Sequence, residues 1–186
     1  MEIISIFTDE RVSNLWAVKY DGHDKDIFST LFDLWNEPEY LTEYLDGNSK
    51  DLFTDFWKGK SIDEAIENIL DEAGSFEDEL YKIENKETGY EGINLGNKFV
   101  QLHNRINSIS TKQDSFKKAK PNKNDFKNSM LRLYAYELEG GIFIVTGGAI
   151  KLTREMDKSE IAKIEQLKNF LDSENICNFR FIHFTS

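Results

Sequence analysis

Arg132, Tyr134 and Tyr136 alternate along one short stretch, and Lys151 and Arg154 follow a glycine pair a little further on. All five lie inside LRLYAYELEGGIFIVTGGAIKLTR, Leu131–Arg154. Guanidinium and ammonium groups at this density suit the holding of a polyanion, the first through a two-donor fork and the second as a point charge. Lys117, Lys118, Lys120, Lys123 and Lys127 lead into the same stretch. A basic surface gathered on a chain whose net charge is −11 needs a reason, and a polyanionic partner is the first to consider. The plainer reading is that the strand cations are solvated residues blunting an exposed sheet. On that reading the lysine run is a solvated loop, where otherwise it is a phosphate-tracking arm whose binding weakens steeply with salt. His103, the one histidine near the middle of the chain, is either a general base or a structural residue on a half-apolar helix.

The elements that must position these side chains form a hairpin. Leu131–Glu137 and Ile142–Thr146 read as strands joined through Glu139-Gly140-Gly141, a turn that accepts positive φ. Alternation puts Arg132, Tyr134 and Tyr136 on one face and Leu131, Leu133 and Ala135 on the other, a solvent side and a core side. Gly147-Gly148 predicts a bulge or sharp bend before a third short strand, Ala149–Thr153. Asp157 with Glu160 three residues on predicts the capped start of a helix with the stripe Ile161, Ile164, Leu167 and Leu171. Gln113–Asn128, polar, basic and carrying Pro121, predicts an exposed connection.

Upstream, Glu2–Phe7 and Leu15–Tyr20 read as strands, and residues 27–35 as a helix. Pro38 suits the first turn of another helix, Glu39–Leu45, and a short one is expected around residues 52–57. Ser61-Ile62-Asp63-Glu64 is a capping-box arrangement opening a long helix with a stripe from Ile62 to Ile83. Its other faces are acidic, either solvated or placed to cover the basic hairpin by mimicking nucleic acid. Glu84–Asn97 predicts a loop, and Lys98–Ser110 permits a helix. Residues 1–110 hold 10 Lys and Arg against 24 Asp and Glu, and residues 111–186 hold 13 against 10. A single domain is expected over residues 1–186: an acidic part to about 110, a basic connection over 111–130, and the hairpin and helix over 131–186.

The single cysteine, Cys177, excludes an intrachain disulfide and a zinc site built on paired cysteines. No signal peptide or apolar membrane span is visible, so a cytoplasmic location without membrane attachment is expected. Asp21, Asp24 and Asp26 around His23 lack the ligand set of a calcium loop, and the glycine pair matches no nucleotide-binding signature. No cofactor or metal is expected.

Arg132-Leu133-Tyr134, the apolar strand Ile142–Thr146, the run GGAIKLTR at Gly147–Arg154 and the helix from Glu160-Ile161 together resemble the RelE/HigB-type toxins of bacterial toxin–antitoxin pairs. A similar order occurs in the phage-derived branch of that superfamily, and the whole chain looks like enlarged Bacteroidetes-type members. Such toxins are usually about half this length and strongly basic, whereas this chain adds an acidic helical part. The resemblance implies an α+β fold, a small mainly antiparallel sheet with inserted helices around a RelE-like core. It implies a ribosome-associated endoribonuclease that cuts mRNA and inhibits translation, with a helix-turn-helix antitoxin as partner. Attack by the 2′-hydroxyl requires its deprotonation, stabilisation of the phosphorane and protonation of the leaving oxygen. Within that scheme Arg132 would clamp the scissile phosphate, Lys151 and Arg154 would contact phosphate or developing charge, and Tyr134 or Tyr136 would stack on a base or transfer a proton. The competing class is a non-catalytic protein-binding module on the same fold.

Overall fold

The computed structural model describes residues 1–7, 13–53, 57, 59–101, 115–121, 129–153 and 158–173. Two strands open the chain, β1 (Glu2–Ser5) and β2 (Leu15–Lys19), paired antiparallel with Glu2 opposite Lys19. Helix α1 (Ile27–Trp35) begins where the Asp26 carboxylate accepts from the backbone of Ser29 at 3.0 Å, and buries Phe28, Leu31, Phe32 and Trp35 as one stripe. Helix α2 (Pro38–Gly47) starts with proline at its first turn, and a short α3 (Ser49–Leu52) follows.

The long α4 (Ile62–Glu84) is opened by a complete capping box. The Ser61 hydroxyl accepts from Glu64 N–H, and the Glu64 carboxylate accepts from Ser61 N–H at 2.8 Å. After α5 (Leu95–Lys98) come β3 (Val100–Gln101), β4 (Phe116–Ala119), β5 (Leu131–Leu138), β6 (Ile142–Ile150) and α6 (Lys158–Ser173).

These strands form one six-stranded sheet in the order β1-β2-β6-β5-β4-β3, antiparallel throughout except for the β2–β6 pair. The architecture is therefore α+β, with a mostly antiparallel open sheet. Helices α1 to α5 contribute to the larger core, which rests on Leu15, Ala17, Leu133, Ala135, Phe143 and Val145 of one sheet face. Helix α6 covers part of the other face. Its Ile164 packs with Phe116 and Tyr134, and its Leu167 and Leu171 pack with Trp16, Val18, Ile142 and Ile144. Among the described residues no helix is long and apolar enough to cross a membrane.

Several local expectations are corrected. Phe116–Ala119 is a strand paired to both β3 and β5, so part of the expected connection belongs to the sheet. Val100–Gln101 is likewise strand, where a helix was permitted. The hairpin has no separate third strand: β6 continues through the glycine pair to Ile150. Its bulge lies one residue earlier, since Tyr134 opposes Gly147 while Ala135 opposes Val145, leaving Thr146 as the extra residue.

The glycines serve close packing instead of a bend. A Cβ at Gly148 would meet the Arg132 carbonyl oxygen and Leu31 Cδ1 at 2.8 Å and Trp35 at 3.0 Å, and one at Gly147 would collide with the Glu160 carboxylate. In the hairpin turn, Gly140 and Gly141 do take the expected positive φ, +84° and +76°. The helix after the hairpin is present, while Asp157, its expected cap, lies outside the described residues.

Candidate polyanion-binding site

The two faces of β5 separate as alternation requires, but the side bearing Arg132, Tyr134 and Tyr136 is not a solvent face. Tyr134 is 3% exposed, packed with Phe116 and Ile164 beneath α6, and Tyr136 is half-buried with its ring against Phe116 at 6.0 Å. Apolar α6 residues cover this end of the face because Phe116, Tyr134 and Tyr136 offer them a continuous aromatic surface. As placed, Tyr134 is a core residue.

Toward the start of β5 the same face changes character. Lys118 lies opposite Tyr134, Arg132 opposite Ala149, and Lys151 follows directly after β6. Burial depresses the pKa of Lys118, and the Arg132 charge lowers it further. Burial likewise lowers Lys151, followed by Arg132 and then Lys118. For Arg132, burial pushes the pKa down while Tyr134 and Glu72 oppose that shift. Three half-buried cations thus repel one another across one patch, an arrangement that an anion would relieve.

Arg132 is held from behind. Its Nη1 donates to the Ser129 carbonyl at 2.9 Å, the Ser129 hydroxyl at 3.2 Å and the Leu131 carbonyl at 2.5 Å. The segment that receives these bonds is itself fixed by Glu72 of α4, a fully buried carboxylate. Glu72 accepts from the Ser129 hydroxyl at 3.0 Å, from Met130 N–H at 2.8 and 2.9 Å, and from Leu131 N–H at 2.9 Å. Burial raises the Glu72 pKa, opposed by these donors and by Arg132. Lys151 is tied to the same segment, since its backbone N–H donates to Met130 O at 2.6 Å. On either side of it, Tyr44 donates to Ile150 O at 3.3 Å and Trp57 to Leu152 O at 2.8 Å.

The structure therefore brings together Arg132, Lys151 and Lys118 of the residues expected to meet a polyanion. Lys117 points to the opposite face and pairs with Glu137 at 2.8 Å, and Lys120 lines a separate cleft of about 290 Å³ with Glu79, Ile93 and Val100. Arg154, Lys123, Lys127 and His103 lie outside the described residues. The acidic helix does not cover the patch. α4 packs into the core on the other side of the sheet, and Glu72 reaches through only to residues 129–131. Among the described residues, no three His, Cys, Asp or Glu side chains gather closely enough to hold a metal ion.

Sequence reasoning missed Glu72 and Ser129. The available signal was an acid inside an apolar stripe: Glu72 falls three residues after Ile69 and four before Phe76, both fully buried. Fold and patch together define an α+β protein with an open, mostly antiparallel sheet and a half-buried cationic cluster at one end. Comparisons with protein-family models, curated proteins and solved structures find no match.

Proposed function

We propose that this chain binds the phosphate backbone of RNA through Lys118, Arg132 and Lys151. On the strength of the resemblance, we propose further that it is the toxin of a toxin–antitoxin pair. In that role it is a metal-independent endoribonuclease that acts on mRNA at the ribosome in the cytoplasm, carries a RelE-like core and is restrained by a helix-turn-helix antitoxin. The observation that carries the reading is the gathering of three cations on one face of a chain whose net charge is −11. Like charges gathered in half-buried positions repel one another, and a bound phosphate offsets that repulsion.

The Arg132 fork suits two oxygens of one phosphate, and Lys118 and Lys151 supply point charges for a neighbouring phosphate or for the charge that develops at a phosphorane. Expression of the parent protein should arrest growth, and Arg132→Ala should relieve the arrest while preserving the circular-dichroism spectrum of a folded chain. A parent that is harmless without its partner, or an Arg132→Ala variant of undiminished toxicity, rules the nuclease out.

The burial of Tyr134 favours a second reading, a non-catalytic binding module, because it withdraws a proton-transfer candidate from the patch. Incubation of the purified chain with translating ribosomes separates the two. Cut mRNA supports the enzyme, and salt-sensitive binding with intact mRNA supports the module.

A further inference from the structure

Helix α4 fastens two strand entries by the same device. Glu84 accepts from the Ser13 hydroxyl at 3.1 Å and from the backbone N–H of Asn14 and Leu15, at 2.5 and 3.1 Å, just where β2 begins. Glu72 does this for Ser129, Met130 and Leu131 where β5 begins. Each is a buried carboxylate facing a Ser-x-Leu segment. In each, the serine hydroxyl also lies near the carbonyl of its own leucine, at 2.8 Å for Ser13 and 3.3 Å for Ser129. The likeness extends to the carbonyls: Ser13 O accepts from Trp16 Nε1 at 3.2 Å and Asn14 O from Phe143 N–H at 2.8 Å, as Ser129 O accepts from Arg132 Nη1 and Met130 O from Lys151 N–H. The two differ in the partner: at Ser129 the donor is a cation, and the serine hydroxyl itself also accepts from Arg132 Nη1 at 3.2 Å.

We propose that Glu72 and Ser129 are positioning residues for the phosphate site, setting the direction in which the Arg132 guanidinium is presented. The inference rests on the polyanion-binding reading above. A hydroxyl has one proton to give, and Ser129 directs it toward the Glu72 carboxylate, which leaves its lone pairs facing Arg132. The carboxylate thereby fixes the hydroxyl as an acceptor for Nη1. With Nη1 so engaged, Nε–Nη2 is the remaining edge of the guanidinium that can present two parallel donors to a phosphate. The same segment fixes the backbone of Lys151, so one buried carboxylate sets the spacing of two of the three cations. Without it the guanidinium would sample several rotamers, and each phosphate contact would carry an ordering cost.

The duplicated device supplies its own control. Ser129→Ala and Ser13→Ala each delete one serine–carboxylate bond from α4, so a purely structural role lowers Tm for both and moves affinity for neither. The probe is a fluorescent single-stranded RNA of mixed sequence titrated into the full-length chain, alongside Arg132→Ala. We expect Ser129→Ala to weaken binding about tenfold, as loss of a hydrogen bond to a charged group does. Ser13→Ala should bind as the parent does at a comparable loss of Tm. Glu72→Gln, which keeps the volume and removes the charge, should weaken binding similarly and serves if Ser129→Ala does not fold.

Parental affinity in both Ser129→Ala and Glu72→Gln, with Arg132→Ala defective, overturns the positioning role and leaves the binding site standing. Equal loss in Ser13→Ala and Ser129→Ala also overturns it. If the parent binds no RNA, or Arg132→Ala binds as the parent does, the polyanion reading itself fails and the inference falls with it.

Discussion

At the scale of single residues, the most consequential choice is a carboxylate placed where water does not reach. Glu72 at zero exposure is satisfied by four protein donor contacts, yet its pKa still lies above the ordinary value of 4.5 because burial outweighs them. A raised carboxyl pKa means the folded state holds this proton more tightly than the unfolded chain does. The Glu72 contribution to stability is therefore full below about pH 4.5 and is lost as pH rises through the folded-state value. Against Glu72→Gln, which cannot titrate, the stability of the parent relative to the variant should shrink as pH climbs from 4 toward neutrality. Urea unfolding at matched pH values measures the difference. A gap that widens with pH would show the donors outweighing burial. Retaining the ion despite this cost is consistent with a role in ordering Ser129 and Arg132.

At the scale of elements, the glycines separate close approach from simple tolerance. Gly148 sits where α1 crosses β6, and a methyl there would press on the Arg132 carbonyl, which is backbone and cannot rotate aside. Gly148→Ala should cost about 1–3 kcal/mol. Gly74, midway along α4, has nothing within 4 Å of an added Cβ, so Gly74→Ala should stabilise by about 0.8–1 kcal/mol. Thermal unfolding of the two variants should move Tm in opposite directions, and destabilisation by both would mean that α4 packs differently around Gly74.

The contrast shows what was legible in the sequence. The stripes of α1 and α4, the Ser61 capping box and the Gly140-Gly141 turn are local signals, and these appear where periodicity and cap chemistry placed them, whereas the short helix expected around residues 52–57 ends at Leu52. The Gly147-Gly148 pair announced an exceptional backbone. Whether that meant a bend or a close neighbour depended on Trp35 and Glu160, more than a hundred and about a dozen residues away. Strand β4 was hidden because Lys117 and Lys118 give it a loop's composition, and its strand character comes from pairing with both neighbours. The solvent assignment of the Tyr134 face failed for the same kind of reason: nothing local says which face α6 will cover. Of the site, the cations could be read off directly, while their grouping required the register that sets Lys118, Arg132 and Lys151 on one side.

At the scale of the whole molecule, a net charge of −11 should repel RNA, and the patch must overcome that repulsion locally. Salt distinguishes the two contributions. Fields from acidic residues more than a Debye length away, about 10 Å at 0.1 M, are already largely screened at ordinary ionic strength, so added salt changes them little. Cations in direct contact with phosphate displace condensed counterions, and three such contacts on a single strand give a slope of log affinity against log salt of about −2. A tenfold rise in salt should then weaken binding about a hundredfold, whereas a slope near zero or positive would mean that the global charge dominates and the patch makes no phosphate contacts.

Proton linkage supplies an independent check on which cations are involved. Lys118 and Lys151 have pKa values depressed below 10.5, and a bound phosphate would raise them again by supplying counter-charge. Affinity should therefore be flat near neutrality and fall as pH rises through the depressed values, earlier than an ordinary lysine at 10.5 would allow. Arg132 stays charged across this range, so part of the affinity should survive. The double variant Lys118→Met, Lys151→Met should bind more weakly at pH 7.5 and lose the alkaline fall. If its affinity still drops at the parent's pH, the titrating groups lie elsewhere and the three-cation patch is not where RNA binds.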